Sequence, residues 1–175
     1  MLYFDLDWIK GNIKNSEYAL RQRRYEAYLA GLHKNMHTLE RIFAGINFND
    51  ALLLPKKQIN EKLHLKFYIG DLQNGYYELK CVMSSDQRCD AAPGEIITSE
   101  IFYENGNYRL SFILACLKEY AVNFSRIDSL KFNAISQRKY SREFNIVNPN
   151  LGFLHIKFHP LKIAASVFIS FTIQN

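Results

Sequence analysis

Residues 101–112 constrain the fold more than any other stretch, because alternating apolar and polar residues flank the pair Asn105-Gly106. An Asn-Gly pair in this setting strongly favours a two-residue hairpin loop, in which both residues adopt positive φ. A slip of one residue would exchange the two faces of the hairpin, so its register is well specified. The predicted pairs are Tyr103 with Tyr108, Ile101 with Leu110 and Phe102 with Arg109. One face then holds Ile101, Tyr103, Tyr108, Leu110 and Phe112, and the other holds Glu100, Phe102, Glu104, Asn107, Arg109 and Ser111.

A second Asn-Gly pair separates two further alternating segments, residues 63–69 and 76–83. A two-residue loop here would set Asp71 opposite Glu78, and like charges facing each other destabilise a sheet. A three-residue loop of residues 73–75 avoids this and places its glycine where a positive φ is needed. The predicted register pairs Ile69 with Leu79 and Phe67 with Cys81.

In the N-terminal third we predict a first strand at residues 2–9, followed in sequence by a long helix. Asn15 or Ser16 can cap the helix, and Gly45 is placed to end it. Gly31 lies inside it and allows a kink or a break. The apolar stripe that predicts the helix consists of Tyr18, Tyr25, Leu29, Leu32, Met36, Leu39 and Phe43.

The rest of the chain continues the strand pattern. Strands are predicted at residues 122–124, 130–135, 153–159 and 163–173, a turn at 148–152 and a polar, basic connection at 137–142, while 114–120 fit either a strand or a short helix. A helical part followed by many antiparallel strands is the α+β pattern. We predict one domain over 1–175, with a strand and the helical part in 1–54 and the antiparallel part in 55–175. The long helix, kinked or straight, is expected to pack on a curved, mainly antiparallel sheet of about six to eight strands or a partial barrel.

No pattern for catalysis, cofactor binding or metal binding is found. The sequence has no G-x-G-x-x-G, no Walker loop and no nucleophile elbow. His33 and His37 share a predicted helix face but have no third ligand, and Asp5 and Asp7 are read as a solvated strand face. His155 and His159 are four residues apart on a predicted strand, too far to share a metal. Three cysteines are read as free thiols: Cys81, Cys89 and Cys116. We therefore predict a non-enzymatic protein without cofactor or metal.

The N-terminus does not resemble a secretory signal, since its first eight residues carry two acids and no basic leader. The longest apolar stretch, residues 163–173, is too short to cross a bilayer. We predict a cytoplasmic protein with no membrane partner.

Charge is the more informative signal, because the net charge is +5 and the excess is local. Residues 129–175 contain one acid, Glu143, whereas residues 1–128 balance to zero. A basic surface of this kind attracts nucleic acid or acidic proteins. Its candidate members are Lys131, Arg138, Lys139, Tyr140, Arg142, Lys157 and Lys162. Tyr140, and Tyr68 beside Lys66 and Lys80, are candidates for stacking on single-stranded bases.

Three functions follow in order of preference. The first is binding of another protein by direct complex formation, as in an inhibitor or an immunity protein that neutralises a toxin. A basic toxin would need an acidic surface, and the candidate is a strip around the second hairpin, flanked by Asp86 and Asp90. We define this acidic strip as Glu95, Glu100, Phe102, Glu104 and Arg109. The alternatives are a nucleic-acid-binding protein that uses the basic residues and a carrier with an apolar cavity inside a curved sheet.

Overall fold

The computed structural model describes residues 1–85 and 87–147. Predictions that lie outside the described residues are the turn at 148–152, the strands at 153–159 and 163–173, and the side chains of Asp86, His155, Lys157, His159 and Lys162. The helices are α1 (Leu6–Lys10), α2 (Asn15–Leu32), α3 (Thr38–Ala44) and α4 (Gln137–Val147), with a 3-10 turn at His33–Asn35. The strands are β1 (Ala51–Leu53), β2 (Lys57–Ile59), β3 (Lys62–Asp71), β4 (Gly75–Ser84), β5 (Gly94–Glu104), β6 (Asn107–Leu114), β7 (Glu119–Phe124) and β8 (Arg126–Ile135).

All eight strands belong to one antiparallel sheet in the order β7-β6-β5-β1-β3-β4-β8, with β2 also paired to β3. The predicted α+β class and the antiparallel sheet are confirmed. The described strands form an open sheet, not a closed barrel. The strands predicted at 122–124 and 130–135 lie within β7 and β8, and residues 114–120 contain the end of β6, a turn and the start of β7.

The second hairpin forms as predicted. β5 and β6 pair Tyr103 with Tyr108, Ile101 with Leu110 and Phe102 with Arg109. Asn105 and Gly106 both have positive φ, at 51° and 82°, as a two-residue hairpin loop requires.

The register predicted for the first hairpin is wrong by two residues. Phe67 of β3 lies opposite Leu79 of β4, and Ile69 lies opposite Tyr77. The loop does have three residues, but it runs from 72 to 74, because the Asp71 carboxylate accepts the backbone N–H groups of residues 73 and 74 at 2.8 and 2.7 Å. A shift of two residues keeps every side chain on its predicted face.

The first strand predicted at residues 2–9 is wrong. Asp5 instead caps α1 by accepting the N–H of Trp8 at 2.9 Å, and Gly11 ends the helix with a φ of 71°. The long helix is divided, since α2 ends at Leu32 and Met36 is extended before α3 begins. The break therefore follows Gly31 by several residues. The N-cap of α2 is a lysine without a side-chain cap bond, and neither Asn15 nor Ser16.

The sheet is packed on both faces. The main core lies between the sheet and α3 and includes the ring contacts of Phe43 with Phe48 and of Phe48 with Phe67, at 5.2 and 4.9 Å. On the opposite face, Phe144 of α4 covers a smaller cluster that also contains Leu52, Leu54 and Tyr68. The basic connection predicted at 137–142 is therefore wrong, because these residues form the first half of α4.

Candidate functional site

Three lysines lie side by side across neighbouring strands. Lys66 of β3 is directly opposite Lys80 of β4, and Lys80 is directly opposite Lys131 of β8. We call these three residues the lysine row. Neighbouring strands are about 4.8 Å apart, so the row is about 10 Å long. It shares a face with Tyr68, two residues along β3, and this is the face turned away from the main core.

The same face carries further charges on either side of the lysine row. Lys57 of β2 is opposite His64, and Lys62 of β3 is opposite Ser84, which is itself opposite Arg126 of β8. We define the basic face as Lys57, Lys62, Lys66, Lys80, Arg126, Lys131 and Lys139. Two carboxylates of the described residues pair with it, those of Glu78 and Asp128.

Asp128 neutralises one end of the basic face. Its carboxylate lies 2.7 Å from Lys62 Nζ and 2.9 Å from Arg126 Nε, and it accepts the Ser84 hydroxyl at 2.9 Å. Burial alone would raise the pKa of Asp128, but the bonds from Lys62 and Ser84 and the charge of Arg126 bring it below its usual value. Lys62 Nζ also donates to Ser84 Oγ at 2.8 Å. The serine hydroxyl therefore accepts from an ammonium and donates to a carboxylate within this ion-pair network.

The second carboxylate at the basic face, that of Glu78, lies between two lysines. It lies 2.9 Å from Lys80 Nζ and 3.7 Å from Lys139 Nζ. Burial favours a raised pKa for Glu78, yet these ammonium groups lower it below the usual value. Within residues 1–85 and 87–147, Lys66 and Lys131 form no ion pair.

The two tyrosines predicted as stacking platforms already pack against other groups of the protein. Tyr68 is only 2% exposed, and Lys139 Nζ lies 5.4 Å from its ring centroid. The ring of Tyr140 stacks on Tyr76 at 4.3 Å, and its hydroxyl donates to the carbonyl of Asp50 at 2.8 Å. Both rings build the fold.

The structure divides the predicted basic residues. Lys131 and Lys139 lie on the basic face, whereas Arg138 and Arg142 are exposed on α4, where Arg142 pairs with Glu143 at 3.2 Å. The sequence reasoning did not select Lys57, Lys62 and Arg126. These three residues are far apart in sequence and are brought together by the pairing register of the strands. The register was therefore the information needed to identify them.

The acidic strip is not a continuous surface. Glu100 is fully buried, where its carboxylate accepts the backbone N–H groups of Leu2, Tyr3 and Phe4 at 2.9, 2.7 and 2.5 Å. Phe102 is half-buried and its ring is 6.1 Å from Tyr3 and 5.6 Å from Tyr28. Glu95 is half-buried opposite Leu52, and Glu104 and Arg109 are exposed near the hairpin loop. Partner binding by the four residues other than Glu100 stays a prediction.

The other candidate groups have structural roles in the described residues. Asp5 caps α1 and pairs with Arg21 at 2.8 Å. His33 and His37 do not share a helix face, because the helix is interrupted between them. Cys81 and Cys89 are buried free thiols, and Cys116 is exposed. The part of the chain that the structure describes contains no group of three or more His, Cys, Asp or Glu side chains placed to hold a metal.

Two surface depressions of about 440 and 420 Å³ bear on the carrier hypothesis. One lies at the start of α3 beside Arg126 and Ile127, and the other lies between Ser84, Asn107 and Asn123. Both open to solvent, and neither resembles the enclosed, mostly apolar site that a carrier would use.

No helix among the described residues has the length and apolar character needed to cross a membrane. Comparison with models of known protein families, with curated proteins and with solved structures finds no match for this chain.

Proposed function

We propose that this chain is a non-enzymatic binding protein whose basic face binds the phosphate backbone of nucleic acid in the cytoplasm. The lysine row is the observation that supports this proposal best. Like charges placed directly opposite each other across strands destabilise a sheet. In the part of the chain that the structure describes, one carboxylate, that of Glu78, lies within ion-pair distance of the row. A row kept at such a cost is expected to serve a ligand, and a polyanion is the ligand that removes the repulsion.

Two simpler explanations account for less of the arrangement. Lysines on an exposed edge strand prevent unwanted strand pairing. That role fits Lys131 on β8, but Lys66 and Lys80 lie on strands paired on both sides. Lysines also keep a protein soluble, yet solubility does not require three of them in one line.

The size of the lysine row suits a phosphate backbone. One strand of a nucleic acid carries a negative charge about every 3.4 Å along the helix axis, so a row of about 10 Å faces about three phosphates. Each neutralised phosphate releases counterions, and binding therefore weakens steeply as salt rises.

The test compares two triple variants that remove the same charge. Lys66→Gln/Lys80→Gln/Lys131→Gln removes the lysine row. Arg23→Gln/Arg24→Gln/Lys34→Gln removes three exposed charges from the α2 region. We expect the first variant to lower the slope of log K against log salt by about 2 to 3 and the control to leave it unchanged. Failure of the parent protein to bind RNA or DNA at low salt, or equal losses in both variants, would refute the proposal.

A protein partner is the second candidate, since the basic face also attracts carboxylates. In this version the chain is an inhibitor or an immunity protein that binds an acidic toxin through the basic face. Affinity purification from the native cells, with and without nuclease, separates the two candidates. A partner that is retained after nuclease and lost with the lysine-row variant would favour the protein complex. Partners that all disappear after nuclease would favour nucleic acid.

A further inference from the structure

We infer that the basic face prefers a double helix to a single strand and binds it without reading base sequence. This inference rests on the proposed function and narrows its ligand. It follows from which side chains on the basic face are available to contact a ligand and which are already engaged within the protein.

Single-strand binders gain much of their affinity by stacking bases on aromatic rings. Among the described residues, the rings on this side of the sheet are not free for that. Tyr68 is buried, and Tyr76 and Tyr140 stack on each other. A base could reach the ring of Tyr68 only by displacing the α4 residues packed against it.

Within residues 1–85 and 87–147, the exposed rings near the lysine row lie on the other face. Tyr77 is 39% exposed and Phe132 is 46% exposed. Phe132 is opposite Leu79, whose side chain belongs to the main core, and Tyr77 lies two residues before Leu79 on β4 and therefore on the same face. Both rings therefore point away from the lysines. His64, half-buried beside Lys62 and Lys66, is one ring and cannot stack a succession of bases.

Without stacking, binding depends on charge alone and follows the charge density of the ligand. A duplex carries one phosphate charge per about 1.7 Å of axis, twice the density of one of its strands. The basic face also extends in two directions, about 10 Å across the strands and about 13 Å along β3 from Lys66 to Lys62. That area exceeds the width of a minor groove, about 6 Å, so its lysines can contact the phosphates on both sides of the groove.

Base reading would require different side chains. Guanine is recognised best by an arginine that offers two parallel donors. Arg126, the arginine of the basic face, already donates to Asp128, with Nε 2.9 Å from the carboxylate. The lysines are point charges and position a backbone without specifying a sequence.

The experiment measures binding at low salt to three probes of equal length: a DNA duplex, a duplex of unrelated sequence and one separated strand. We expect the duplexes to bind within about 2-fold of each other and about 10-fold more tightly than the single strand. His64→Ala is expected to change none of these affinities by more than about 2-fold, because no base stacks on that ring.

The outcomes separate this inference from the proposed function. If the single strand binds as tightly as the duplex, or if the two duplexes differ by 10-fold or more, this inference is wrong. It is also wrong if His64→Ala weakens single-strand binding alone. The proposed function survives these results as long as the lysine-row variant lowers binding. If no probe binds the parent protein, the proposed function itself fails.

Discussion

Glu100 offers the sharpest test of how the fold is held together, because its carboxylate joins β5 to residues almost a hundred positions earlier. It is fully buried and accepts three backbone N–H groups, from Leu2, Tyr3 and Phe4. Hydrogen bonds to a charged group contribute about 1.5–3 kcal/mol each, which gives an upper bound of about 4.5–9 kcal/mol. The true loss is smaller, because the freed N–H groups can turn to water and the cost of burying a charge is removed.

Two substitutions separate the hydrogen bonds from the packing. In Glu100→Gln the side-chain oxygen can still accept the backbone N–H groups of Tyr3 and Phe4, but the new NH₂ group faces the N–H of Leu2, and two donors cannot bond. We therefore expect the free energy of unfolding to fall by about 2 kcal/mol. Glu100→Ala loses all three bonds and leaves a cavity, so we expect a loss of about 4 kcal/mol. Glu104→Gln, exposed on the same strand, is the matched control and should stay within about 0.5 kcal/mol of the parent.

Urea unfolding gives the free energy of unfolding for each variant, and hydrogen exchange reports the amides of residues 2–4 directly. In the parent these amides should be protected, and in Glu100→Ala they should exchange freely. The reasoning is refuted if Glu100→Gln and Glu104→Gln are equally stable, or if the amides of residues 2–4 exchange freely in the parent.

Two further predictions concern the carboxylates of the basic face. Glu78→Gln removes a negative charge that competes with phosphate for Lys80 and Lys139. The interaction between two unit charges about 5 Å apart in water amounts to about 0.8 kcal/mol, so the affinity for a polyanion should rise about 4-fold. A low-salt titration measures this, and an unchanged or lower affinity would contradict the prediction. Asp128 has a pKa lowered from 3.8 in the folded protein, so its contribution to stability is complete above that value and is lost as the pH falls through the lower folded pKa. Asp128→Asn should therefore lower stability at neutral pH by up to about 1 kcal/mol and flatten the acid limb of a pH–stability curve below pH 3.8; an acid limb identical to that of the parent would argue against this role.

Sequence reasoning predicted those parts of the fold whose signals are local. The Asn105-Gly106 hairpin was predicted to the residue, because turn chemistry and alternation agree there. The first hairpin was assigned the correct faces but the wrong register, since the Asp71 side chain sets its turn. Residues 2–9 were misassigned because α1 has only five residues, too few for a helical period to be distinguished from alternation.

The candidate site was harder to predict, because charge in this protein is sorted by face and not by position in the sequence. Residues 1–128 are neutral in sum, yet they supply five members of the basic face: Lys57, Lys62, Lys66, Lys80 and Arg126. Some of the acidic residues that balance these positive charges are buried. Glu100 is buried under the N-terminal segment, and Glu40 is 2% exposed where it accepts the N–H of Ile127 at 2.7 Å.

Burial of these acids removes two carboxylates from the surface of a chain whose net charge is +5. A carboxylate that accepts backbone N–H groups is fixed in place and cannot swing out to screen a lysine. Glu100, which was predicted to belong to an acidic binding strip, is thus buried and has a structural role. It holds the N-terminal segment on β5 by accepting the backbone N–H groups of Leu2, Tyr3 and Phe4.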